Sequence, residues 1–152
     1  MSVEKLFNVD AENPNAVKVS DYSMRYYFGD KLAGTNITQA KKLIFKGRSL
    51  DSKSCKVQLA LVTSEGLAYG GIVDLQTKSG DYEISIGDLK EVKLVTLPRP
   101  YPTFLPYFFE NGVTKNLDLS KVETLQISIG PGLTQSELEE KHEIAIQSIR
   151  LE

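Results

Sequence analysis

Residues 22–28 read Tyr-Ser-Met-Arg-Tyr-Tyr-Phe, and this stretch carries the pattern that decides the fold. Its even-numbered positions hold large apolar or aromatic side chains, whereas its odd-numbered positions hold Ser23, Arg25 and Tyr27. In a β-strand successive side chains point to opposite faces of the sheet, so an apolar residue at every second position forms one continuous face. The stretch therefore predicts a strand with one face turned toward a core.

The same alternation recurs along most of the chain. Further strands are predicted at residues 42–48, 57–61, 68–75, 82–86, 92–94, 125–129 and 143–151. The Ser64-Glu65-Gly66 turn predicts a hairpin between the strands on either side of it, and Ser79-Gly80-Asp81 predicts a second turn. In the last strand the apolar positions change parity after Ile146, which indicates a bulge or burial on both faces.

The spacing of these strands predicts the fold class. About nine short strands separated by turn signals are typical of a sandwich or barrel. We predict an all-β, two-sheet antiparallel jelly-roll sandwich. Residues 1–152 show no internal repeat and no interdomain linker, so they are expected to form a single domain. The best helix candidate is residues 134–141, where Ser136 is the predicted cap of one helical turn within a polar loop.

The composition of the chain limits the classes of function that it can have. The 18 basic and 20 acidic residues nearly cancel, and this balance argues against a nucleic-acid surface. The only cysteine, Cys55, excludes an internal disulfide, and its place before an apolar strand predicts a buried structural thiol. No apolar stretch approaches the roughly 18 residues that cross a bilayer, so membrane insertion is not expected. The N-terminus lacks a signal peptide, which predicts either a cytoplasmic protein or a domain cut from a longer secreted chain.

The search for catalytic residues gives no coherent set. His142 is the only histidine and lies in a charged stretch, where a solvated loop residue is the simpler interpretation. Glu137, Glu139 and Glu140 form a charge run that is typical of a solvated surface. Gly70-Gly71 falls inside a strand pattern and indicates close packing or a bulge rather than a phosphate loop. We therefore expect no active site in this chain.

The most distinctive stretch is residues 97–109, which we call the proline-aromatic segment. Its four prolines exclude a central strand, because each removes a backbone donor. Such an apolar segment covers the open end of the sandwich, forms an aromatic platform for a ligand or neighbouring domain, or serves as a proline-rich peptide for other proteins. As a carbohydrate site it would use Arg99 for hydroxyl groups and the rings of Tyr101, Phe104 and Tyr107 for stacking. The absence of tryptophan lowers the odds of binding flat polysaccharide surfaces.

Residues 21–151 resemble a known family. The resemblance rests on Tyr26-Tyr27-Phe28-Gly29, Phe45-Lys46-Gly47-Arg48, residues 58–70, the proline-aromatic segment, residues 123–132 and residues 144–151. These stretches are similar to the C-terminal β-sandwich module of secreted bacterial glycoside hydrolases, in the galactose-binding-like jelly-roll group. The resemblance implies a non-catalytic accessory domain of an extracellular or periplasmic enzyme.

The resemblance also implies that a structural calcium ion could lie between the N-terminal segment and the last strand. Here Ser148 stands where relatives often place an aspartate, which puts that site in doubt. Asp10, Glu12 and Asp21 offer oxygen atoms near the start, but their spacing follows no calcium-loop motif. The metal therefore stays unassigned, and no other cofactor is expected.

Three functional hypotheses follow. The first is a carbohydrate-binding module whose site is formed by the proline-aromatic segment. The second is a structural domain that packs on a glycoside hydrolase catalytic domain and stabilises it without binding sugar. The third is an intracellular protein-binding sandwich, which the missing signal peptide slightly favours. The sequence favours carbohydrate binding over the bracing role by a small margin.

Overall fold

The computed structural model describes residues 2–9, 17–29, 36–92, 94–96, 107–109 and 116–152. Eleven strands, one short α-helix and two 3₁₀ helices (Ile86–Asp88 and Leu119–Lys121) lie within these ranges; the strands and the α-helix are numbered here. They are β1 (Ser2–Val9), β2 (Val17–Tyr27), β3 (Lys42–Ser49), β4 (Cys55–Thr63), β5 (Ala68–Leu75), β6 (Gly80–Ser85), β7 (Lys90–Val92), β8 (Leu94–Thr96), β9 (Tyr107–Phe109), β10 (Val122–Ile129), α1 (Gln135–Glu139) and β11 (Ile144–Leu151).

The strands form two main antiparallel sheets. Within the described ranges, the large sheet has the order β1-β2-β10-β4-β5-β7, and the small sheet has the order β11-β3-β6. The chain passes repeatedly from one sheet to the other, for example from β2 to β3, from β3 to β4 and from β10 to β11. The predicted two-sheet antiparallel sandwich is therefore confirmed. A third pair, β8 and β9, forms a separate two-stranded ribbon.

Apolar side chains from both sheets form one core between them. Phe45 of the small sheet is fully buried, as are Val57 and Leu59 of the large sheet. Phe45 meets Tyr82 edge to face, with ring centroids 6.5 Å apart. Burying each such side chain stabilises the fold by about 1.5–3 kcal/mol, which is the force that holds the two sheets together.

Two local predictions about strand geometry are confirmed. The register between β11 and β3 shifts between Ile146 and Ser148, so Gln147 is an extra residue at a β-bulge. After the bulge the apolar side chains again point toward the core, and the isoleucines on both sides of it pack against that core. β4 and β5 pair as the predicted hairpin, with Gly66 at a φ of 84° in the turn.

Other elements differ from the sequence prediction. Ser2–Val9 was not predicted as a strand because Lys5 and Leu6 interrupt its alternation, and it pairs with β2. Residues 92–94 divide between β7 in the large sheet and β8 in the ribbon. After the turn at residues 76–79, β6 pairs with β3 across the sandwich, not with β5.

The predicted helix cap is wrong. The cap of α1 is Thr134, not Ser136, because the Thr134 hydroxyl accepts a hydrogen bond from the Glu137 amide at 3.4 Å. The Glu137 carboxylate accepts one in return from the Thr134 amide at 2.7 Å. This reciprocal capping box satisfies two backbone donors at once, which Ser136, inside the first turn, does not do.

Candidate functional site

The predicted carbohydrate site falls largely outside the described residues. Arg99, Tyr101 and Phe104 lie in the undescribed stretch, and Tyr107 is described through its backbone alone, as the first residue of β9. Tyr107 pairs with Thr96 of β8. The three other predicted site residues thus stand in sequence between the two strands of the ribbon.

A cleft of about 550 Å³, which we call the β7 cleft, lies beside β7 at one edge of the large sheet. Its lining residues are Tyr69, Ile86, Gly87, Leu89, Lys90, Glu91, Asn116 and Leu117. These residues come from β5, from the turn between β6 and β7, from β7 itself, and from the chain that follows β9. The chain on either side of the β8–β9 ribbon therefore contributes to one cleft.

The wall of the β7 cleft is built on paired strands. Tyr69 of β5 stands directly opposite Glu91 of β7. The Tyr69 side chain is buried, and burial, reinforced by the nearby carboxylates of Glu91 and Glu65, raises the pKa of its hydroxyl. The tyrosine is therefore a neutral, fixed group at physiological pH. On the other side, the Asp118 carboxylate accepts a hydrogen bond from the Ser120 amide at 3.0 Å and so fixes the turn that follows Asn116.

A second cleft of about 510 Å³, the interlayer cleft, lies between the two sheets. Its lining residues are Tyr22, Met24, Leu50, Ile127, Ile129, His142, Glu143, Ile144 and Ile146. Most of them are apolar, and they come from β2 and β10 of one sheet and β11 of the other. It has few groups that could hydrogen-bond a polar ligand.

His142 and Cys55 meet at the border of the interlayer cleft. The Nε2 atom of His142 lies 2.6 Å from the Glu137 carbonyl oxygen, which can only accept, so Nε2 carries the proton. Nδ1 of the same ring lies 3.8 Å from the Cys55 sulfur. The interpretation of His142 as a solvated loop residue is thus corrected: the ring is half-buried and links α1 to β4.

This histidine–cysteine contact does not make an activated nucleophile. The Cys55 side chain is buried, as predicted, and burial raises the pKa of its thiol to about 11, with the carboxylates of Asp51 and Asp74 adding to the effect. The thiolate is the reactive form, and at neutral pH it is scarcely populated. The contact therefore has a structural role, in which His142 links α1 to β4.

The outer face of the large sheet carries a buried polar network. The Gln126 amide nitrogen donates to the hydroxyls of Ser23 at 3.2 Å and Ser128 at 3.1 Å, and these two hydroxyls lie 2.9 Å apart. The Gln126 carbonyl oxygen accepts from Nε of Arg25 at 3.1 Å. The network joins β2 to β10 by side chains as well as by the backbone ladder.

The calcium hypothesis stays a prediction. Asp10 and Glu12 lie outside the described residues, and Asp21 is described only through its backbone in β2. The Ser148 hydroxyl accepts a hydrogen bond from the Arg150 guanidinium at 3.0 Å. In the described part of the chain, no three histidine, cysteine or acidic side chains cluster as metal ligands. No helix in that part is long and apolar enough to cross a membrane.

The fold is similar to one region of two larger solved structures. The chain aligns with PfGH50B at a TM-score of 0.51 and 19% sequence identity, over 99% of this chain and 22% of that one. It aligns with an agarase, AgWH50C, at a TM-score of 0.51 and 15% identity, over 98% of this chain and 23% of the agarase. At these identities the likeness is one of fold. No protein-family model and no curated protein matches the sequence.

Proposed function

We propose that this domain is a non-catalytic accessory module of a polysaccharide-degrading enzyme and that it binds carbohydrate. The observation that carries the proposal is the alignment of almost the whole chain with less than a quarter of an agarase. The chain thus matches only a small region of a much larger enzyme. The parent enzyme would act outside the cytoplasm, where its polysaccharide is found.

The proposed binding residues are those of the proline-aromatic segment. Arg99 would hydrogen-bond vicinal hydroxyl groups through its planar guanidinium, and Tyr101, Phe104 and Tyr107 would stack on sugar rings. Prolines between these residues restrict the backbone, which lowers the entropy lost on binding. Shallow contacts of this kind predict weak affinity for a single oligosaccharide.

A glycan array and an affinity gel test this proposal. The isolated domain is compared with an Arg99→Ala, Tyr101→Ala double variant, and agarose oligosaccharides are included among plant, host and microbial glycans. We expect the domain to bind a defined set of glycans and the double variant to bind them more weakly while its circular dichroism spectrum stays unchanged. Reducing-sugar assays on the same glycans should detect no hydrolysis by the domain alone.

The alternative is a domain that packs on a catalytic domain and stabilises it without binding sugar. The interlayer cleft favours this role, because most of its lining side chains are apolar. The array separates the two functions: a domain that binds no glycan but raises the thermal stability of the parent catalytic domain would have the bracing role.

A further inference from the structure

The β7 cleft combines an apolar floor with a polar rim. Leu89 and Tyr69 are buried at its base, and Leu117 is half-buried beside them. Asn116 is exposed at the rim and Glu91 is half-buried, whereas Lys90 points to the opposite face of the sheet because it precedes Glu91 in β7. A volume of about 550 Å³ lies within the usual range of small-ligand sites, which pair apolar walls with a few convergent polar groups.

The rim groups are available to a ligand. Among the described residues, the side chains of Glu91 and Asn116 take part in no hydrogen bond or ion pair. In contrast, the ammonium group of Lys121 lies 2.5 Å from the Glu65 carboxylate. A hydroxyl group of a ligand can donate to the Glu91 carboxylate.

The chemistry of the rim selects a neutral, polyhydroxylated ligand. The negative charge of Glu91 disfavours an anion, whereas the hydroxyl groups of a neutral ligand can donate to its carboxylate. A carboxylate accepts two hydrogen bonds from adjacent hydroxyls, and an amide side chain both donates and accepts. A sugar ring has a matching form, with C–H groups on one face and hydroxyls around its edge.

We infer that the β7 cleft is a second sugar-binding site, which takes one or two rings of a neutral oligosaccharide. Glu91 and Asn116 bind the hydroxyls, and Leu89 and Leu117 contact the apolar face of the ring. The site is built on paired strands, since Glu91 is fixed opposite Tyr69. The inference rests on the proposed function, and it assigns binding to residues outside the proline-aromatic segment.

Calorimetric titration with agarose oligosaccharides, combined with amide chemical shifts by NMR, tests the inference. The variant is Glu91→Ala, Asn116→Ala, and the matched control is Glu139→Ala on α1. That helix packs near β2, and three strands separate β2 from β7. We expect the double variant to bind at least tenfold more weakly and the control to bind as the unmodified protein does. Shifts should concentrate at residues 86–92 and 116–117.

The outcomes separate this inference from the proposed function. If the unmodified domain binds and the Arg99→Ala, Tyr101→Ala variant loses binding while the cleft variant keeps it, the cleft inference is overturned and the proposed function stands. If the unmodified domain binds none of the oligosaccharides, the proposed function itself falls. Circular dichroism of each variant shows that a loss of binding is not a loss of folding.

Discussion

At the scale of single residues, Gln126 makes three side-chain hydrogen bonds on the outer face of the large sheet. Gln126→Ala removes these three hydrogen bonds at a buried site, where the loss of a hydrogen bond is costly. We expect the free energy of unfolding to fall by about 2 kcal/mol, measured by urea denaturation. Gln147→Ala at the exposed bulge is the control and should change it by less than about 0.5 kcal/mol. Equal effects of the two substitutions would show that the network adds no stability.

Cys55 should be unreactive in the folded protein. Its pKa is raised from 9.0 to about 11, so at pH 8 the folded thiol stays protonated and buried. We expect no reaction with a thiol reagent at pH 8 and one equivalent of reaction in denaturant. Rapid labelling of the native protein would contradict the burial described here.

The same thiol makes stability depend on pH. Above pH 9 the unfolded chain releases the proton while the folded chain keeps it, so the stability falls as the pH rises from about 9 toward 11. Cys55→Ala should flatten this part of the pH profile in chemical denaturation. An unchanged slope in that variant would assign the pH dependence to other groups.

The sequence predicted the surroundings of some single residues but not of others. The burial of Cys55 followed from the apolar strand that it begins. Its contact with His142 did not, because the two residues are 87 positions apart and only the packing of α1 brings them together. The polar rim of the β7 cleft was missed for the same reason, since Glu91 and Asn116 come from separate parts of the chain.

At the scale of elements, substitutions at Thr134 and Ser136 show which residue caps α1. Thr134→Ala removes the hydroxyl that accepts from the Glu137 amide, and loss of a threonine cap costs about 1 kcal/mol. Ser136→Ala is the matched control and should have a smaller effect, since its hydroxyl only contacts Thr134. Thermal unfolding of both variants measures the difference. A larger effect from Ser136→Ala would restore the cap predicted from the sequence.

A substitution at Gly70 tests whether β5 lies between β4 and β7 in the large sheet. A Cβ atom at Gly70 would lie 2.9 Å from the Leu59 carbonyl oxygen and 3.3 Å from Val92, too close for the backbone to accommodate without a shift. Gly70→Ala should therefore lower the free energy of unfolding by about 1–3 kcal/mol. Gly80→Ala, whose nearest neighbour would be Tyr82 at 3.8 Å, should be close to neutral. Urea denaturation of the two variants distinguishes them.

Strands with clean alternation were predicted, and those without it were not. The bulge in β11 was visible because the isoleucines on either side of it change parity in the sequence. β1 was missed because Lys5 and Leu6 break its pattern, and its place at the sheet edge tolerates that irregularity. The partner of β6 could not be predicted, because a turn signal does not tell whether the chain stays in one sheet or crosses to the other.

At the scale of the whole molecule, the sandwich follows from periodicity, whereas its proposed role is supported by a likeness of fold to part of an agarase. One core between two sheets needs no metal or disulfide at this chain length. The described residues form one apolar cleft and one cleft with a polar rim. We therefore predict a module that recognises carbohydrate through its β7 cleft and its proline-aromatic segment.

Isothermal titration calorimetry of the isolated domain with agarose oligosaccharides is the decisive test of carbohydrate binding. We predict saturable, weak binding that Arg99→Ala, Tyr101→Ala weakens at least tenfold without loss of fold. An absence of heat with these oligosaccharides and with every other glycan of the array would contradict carbohydrate binding and leave the bracing role as the function to test.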